Sequence, residues 1–91
     1  MPAFIKGRKE HFRSDLNEDN AVVVSSYPSR YEHDETMVDI RRFWRPTGAE
    51  EMVPTKKGLV IPLSAHDALE RLSKALGELA DVGKETEQQN Q

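Results

Sequence analysis

Three stretches of the chain carry a readable alternation of apolar and polar positions. Ala21–Tyr27 (AVVVSSY) holds three consecutive valines, too many β-branched residues for a comfortable helix, and predicts a strand that Pro28 ends. With a period of two, Val22 and Val24 face one way and Val23, Ser25 and Tyr27 the other. Met37–Trp44 (MVDIRRFW) predicts a second strand, with Val38 and Ile40 opposite Asp39 and Arg41. The alternation breaks at Arg42. Strict parity puts Trp44 with Val38 and Ile40, toward a core, whereas a bulge would re-aim it. Pro46–Gly48 predicts a turn. Leu59–Ile61 predicts a short strand stopped by Pro62, and Gly58 before it marks a bulge or a close backbone approach.

Ser64–Asp81 repeats differently. Leu69, Leu72, Leu76 and Leu79 recur at helical spacing, flanked by Ala65, Ala68, Ala75 and Ala80, which predicts one amphipathic helix. Ser64 followed by Asp67 resembles a capping box, and Gly83 is placed to end the helix. Strands followed by a helix make an α+β domain. Residues 1–19 read as a mixed, mostly flexible arm with a short pairing segment near Phe4–Ile5. Residues 20–82 read as the domain, and 83–91 as a polar, disordered tail. So small a core needs support, and the self-complementary leucine stripe predicts a helix-mediated homodimer.

Composition narrows the chemistry. The chain has 91 residues, 36% of them hydrophobic, and no apolar run approaches the ~18 residues of a membrane span. The first ten residues lack the apolar centre of a secretory leader, and no cysteine is present, so the expectation is an intracellular protein without disulfides. His11, His33 and His66 stand in separate segments without metal-ligand spacing, and read as surface residues. No serine sits in a nucleophile-elbow context, and no glycine-rich phosphate loop occurs. These absences predict a binding module, not an enzyme, with neither metal nor cofactor.

The net charge of −3 argues against a general nucleic-acid binder, but its distribution is uneven. Residues 41–60 carry Arg41, Arg42, Arg45, Lys56 and Lys57 against Glu50 and Glu51, and they also hold the sole Trp. Cations beside a flat ring suit a single-stranded nucleic acid, and a solvated strand edge with a core Trp is the alternative.

Two motifs sharpen the choice. The strand V38-D-I-R-R-F-W44 and the later P54-T-K-K-G-L-V-I61, followed by one amphipathic helix, resemble the C-terminal domain of the transcriptional coactivator positive cofactor four family. The likeness spans roughly residues 20–82. It implies a strongly curved four-stranded antiparallel sheet followed by a helix, two copies joined through their helices, and channels for single-stranded or melted DNA in transcription, with transcription machinery as a further partner. It also implies that Arg41, Lys56 and Lys57 contact phosphates, that Trp44 stacks on bases, and that Tyr27 stands where the family places another aromatic. Arg42 and Arg45 read as solvated rim charges.

The chain departs from the family where basic residues usually open the first matched strand. Asn20 and Ser25 stand there, preceded by Glu18 and Asp19, unless Lys6, Arg8, Lys9 and Arg13 supply the missing charge. Two rivals follow: an interaction adaptor of the same fold that lost nucleic-acid binding, and an RNA-binding protein, since RNA offers the same phosphates and bases.

Overall fold

The computed structural model describes residues 6–32 and 34–89. Four strands, β1 (Lys9–Asn17), β2 (Asn20–Pro28), β3 (Thr36–Trp44) and β4 (Val53–Pro62), precede a single helix, α1 (His66–Gln89). The strands form one antiparallel meander in the order β1-β2-β3-β4. The fold is therefore α+β. No helix among the described residues is long and apolar enough to cross a membrane.

The two predicted central strands form where the alternation places them. β2 and β3 pair without interruption from Asn20↔Trp44 to Pro28↔Thr36. The Pro46–Gly48 turn also forms: Ala49 N donates to Pro46 O at 2.9 Å, and Gly48 takes the positive φ of 82° that the turn requires.

β1 is a correction to the expected flexible arm. Residues 9–17 pair along β2, while Phe4–Ile5 and His33 lie outside the described residues. The cause is physical. Register shifts between Glu10 and Phe12 and between Asp15 and Asn17 reset the side-chain parity twice in nine residues, so no period of two survives in the sequence. The strand is solvent-exposed along its length and carries no apolar signature.

The sheet is not strongly curled, against the expectation carried by the family resemblance. Curling needs bulges or glycine kinks in the strands that bend. Here the irregularities fall on the edge strands β1 and β4, and the central β2–β3 ladder has none.

The helix differs at both ends. Leu69 N donates to Ala65 O, so Ala65 and not Ser64 occupies the cap position. The Ser64 hydroxyl instead donates to Glu35 Oε2 at 3.1 Å, tying the helix entry to the β2–β3 connection. At the far end α1 runs through Gly83 to Gln89, replacing the expected tail with helix. Gly83 is not among the glycines with positive φ, so it does not turn the chain out, and it costs about 1 kcal/mol relative to Ala. Thr86 Oγ1 bonds back to Val82 O in the last turns.

Packing is thin. Ala21, Val23 and Phe43 are the only buried apolar side chains among the described residues. α1 makes no substantial contact with the sheet; Leu69 and Leu72 are half-buried, and Leu76, Leu79 and Val82 are exposed. The radius of gyration is 15.6 Å, against about 12 Å for a compact domain of this length.

Of the described glycines, Gly58 has the closest neighbours. A Cβ there would lie 2.7 Å from Ile40 O and 3.0 Å from Arg41 Cα, both backbone atoms that cannot swing away. Gly58→Ala is expected to lower stability by about 1–3 kcal/mol, read from the midpoint of a denaturant titration.

Candidate nucleic-acid interface

Cross-strand register divides the sheet into two unlike faces. One carries Arg13, Val23, Arg41 and Gly58 in a row, with Ser25, Asp39 and Val60 in the next and Ala21, Phe43 and Pro54 beyond. The other carries Val22, Val24, Val38, Ile40, Leu59 and Ile61, with Phe12 from β1. The first is called the arginine face, the second the aliphatic face.

The arginine face is closed by its own long side chains. Arg8 and Arg13 place their guanidinium carbons 5.3 and 5.2 Å from the Phe43 ring centroid, so two cations help cover the ring that β3 presents. Both guanidinium groups approach Glu10: Arg13 through paired bonds of 3.0 and 2.8 Å, Arg8 at 3.5 Å. The hydrogen bond from Arg13 holds the Glu10 carboxyl below its usual range; burial opposes it, and the positive charges of Arg13 and Arg8 add to the lowering. The same bond pushes the Arg13 guanidinium up.

Deeper in this face lies Asp39, only 3% exposed. It accepts from Arg41 Nε at 3.0 Å and Nη2 at 3.2 Å, and from Tyr27 Oη at 3.0 Å. Burial raises the Tyr27 phenol pKa above its ordinary value, and the bond to the Asp39 carboxylate adds to that. Arg41 Nη1 donates to Thr55 O at 2.8 Å. Arg41 and Tyr27 thus belong to one polar network centred on Asp39.

Trp44 sits elsewhere. Parity holds, so it lies on the aliphatic side with Ile40, but at the strand end, where it is 44% exposed and not core. Its cross-strand partners are Asn20 and Val53. Tyr27 stands seven residues further along β2 than Asn20, on the opposite face and roughly 23 Å away at a strand rise of ~3.3 Å. The five residues picked out by sequence therefore do not form one cluster.

The cation that shares Trp44's face is Arg42, two residues earlier on β3, whose Nε donates to Asn20 Oδ1 at 3.0 Å. It makes no ion pair among the described residues, in contrast to Arg41, which is paired with Asp39. Sequence reading set Arg42 aside as a rim charge; the signal that would have found it is plain two-residue spacing from the Trp. Lys56 and Lys57 are exposed on β4, opposite Arg42, and neither is in an ion pair among the described residues. Trp44, Arg42, Lys56 and Lys57 thus occupy one end of the β3–β4 ribbon.

A shallow groove of about 430 Å³ opens nearby, lined by Arg13, Arg45, Asp15, Glu50, Glu51 and Met52. Three carboxylates against two arginines make it a poor phosphate site. Arg45 is further engaged with Asp19 at 3.9 Å.

Because Glu10 titrates lower in the folded chain than in the unfolded one, its contribution is full above its ordinary pKa and is lost as pH falls through the depressed folded value. The protection of β1 amides, taken relative to their intrinsic exchange rates, is expected to fall as pH drops below the ordinary carboxylate range, and Glu10→Gln to remove that part of the acid dependence, as measured by hydrogen exchange.

Comparison of the chain with protein-family models, with curated proteins and with solved structures finds no match.

Proposed function

We propose that this chain binds single-stranded DNA as a homodimer and acts on melted DNA in transcription. The observation that carries the reading is the exposed indole of Trp44, two residues along β3 from Arg42, which stands opposite the β4 segment that bears Lys56 and Lys57. A flat ring supplies stacking worth ~1–3 kcal/mol per base whatever the sequence, and unpaired cations supply the phosphate attraction. The resemblance to the positive cofactor four family supports Trp44, Lys56 and Lys57 in these roles and suggests transcription as the setting. Arg42 joins them on geometry alone.

The second copy answers the thin packing. With three apolar side chains buried among the described residues, and an aliphatic sheet face and a leucine stripe only half-buried or exposed, the monomer has little hydrophobic stabilisation. Leu76, Leu79 and Val82 are more than half exposed and lie on the face of α1 that a symmetry-related α1 would cover. Leu76→Lys is expected to leave the sheet intact and shift sedimentation equilibrium from dimer to monomer.

Trp44 is also the only indole, which makes it its own reporter. Titration with oligo-dT at low salt is expected to quench its fluorescence, with log K falling by ~0.7 for each phosphate neutralised as log salt rises. Lys56→Ala and Lys57→Ala should each flatten that slope by about one such step, and Trp44→Ala should weaken binding without unfolding the chain. Matched DNA and RNA oligomers in competition separate the DNA reading from RNA binding. An unchanged spectrum at low salt leaves the adaptor reading of the same fold.

A further inference from the structure

β4 departs from a regular ladder at one place. Between the pairs Phe43↔Pro54 and Arg41↔Gly58, the three residues Thr55, Lys56 and Lys57 stand against Arg42 alone. A bulge of this size frees backbone groups that a ladder would have satisfied. Thr55 takes up several of them. Its Oγ1 donates to Arg42 O at 2.7 Å and accepts from Lys57 N at 3.1 Å. Its carbonyl accepts from Arg41 Nη1 at 2.8 Å. Gly58 then brings β4 back so close to β3 that no side chain fits.

Arg41 is fixed from its other side by Asp39, and its side chain is only 10% exposed. Nε, Nη1 and Nη2 each donate one bond within the chain, three of the five N–H groups of the guanidinium. With so little of the side chain exposed, a phosphate at this guanidinium would compete with a buried carboxylate whose charge needs the same partner.

We propose that Thr55 is a positioning residue for the lysine pair, and that Arg41 acts on the nucleic acid through Thr55 and not by touching phosphate. This rests on the single-strand-binding reading above. Lysine stems are flexible, and binding through them costs less when their backbone is already held in place. The chain Asp39–Arg41–Thr55 runs from the buried part of the sheet to the exposed bulge and supplies that restraint.

The test uses the full chain as wild type, Thr55→Val, Thr55→Ser and Arg41→Gln, with oligo-dT as the probe. Valine keeps the branched shape and removes the hydroxyl; serine restores it. Thr55→Val is expected to speed exchange of the Lys57 amide and weaken oligo-dT binding, each by about tenfold, the scale of a lost hydrogen bond. Thr55→Ser should return both to wild-type values. Arg41→Gln should weaken binding without changing the salt slope, whereas a phosphate-contacting arginine would flatten it by ~0.7. A Lys57 amide indifferent to Thr55→Val, or faster exchange with unchanged affinity, overturns the positioning role while single-strand binding stands. A flattened slope in Arg41→Gln returns that arginine to the phosphate contacts and overturns its half of the proposal. Failure of the wild type to bind oligo-dT at low salt overturns the binding reading and the positioning role together.

Discussion

Asp39 is a carboxylate with almost no access to water, set in the third strand of a four-stranded sheet. Burying such a charge alone is prohibitive, so everything around it is arranged to keep it paired. Arg41 approaches with two donors and Tyr27 with a third. These three residues commit one face of the sheet to polar packing, and Arg8, Arg13 and Phe43 extend it toward the β1 edge. The hydrophobic contribution on this face falls largely to Ala21, Val23 and Phe43.

The opposite face follows from the same commitment. Strand alternation sends Val22, Val24, Val38 and Ile40 away from Asp39, onto a surface with which α1 makes no substantial contact. Apolar area is therefore spread over the aliphatic face and the leucine stripe, two surfaces that a monomer leaves in water. The helix needs no packing against its own sheet to be continuous, since its i→i−4 bonds are internal. Its lateral stability is a matter for whatever it meets.

Much of this organisation was legible in the chain. The valine run, the VDIRRFW alternation and the leucine spacing located three of the five elements, because each keeps one period over several turns or rungs. β1 was hidden by two register shifts, and most of β4 by a bulge that breaks parity around Lys56. The helix end was misread because Gly83 carries two possibilities, a left-handed stop or a tolerated interruption, and local composition does not separate them. For the site, strict parity and a bulge were both open for Trp44; the β2–β3 ladder keeps strict parity, yet the indole is exposed and not core. Asp39, two residues away on the same face, is a partner that alternation allows Arg41; that the pair is buried is what the chain does not show. The resemblance carried Arg41 as a phosphate contact; the geometry makes Arg42 the cation that accompanies the indole.

The lysine bulge bears on solubility as well. An open four-stranded sheet has two unpaired borders, and each is a template on which another extended chain can grow. On β4 the run Leu59-Val60-Ile61 is the sort of segment that recruits such growth, yet the two ammonium groups and the skipped rungs stand immediately before it, and Pro62 closes it. On β1 the alternating charges Lys9, Glu10, Arg13 and Asp15 occupy the other border. The feature that presents cations outward thus also keeps the sheet finite, stopping it at four strands where a flat, regular edge would invite a fifth.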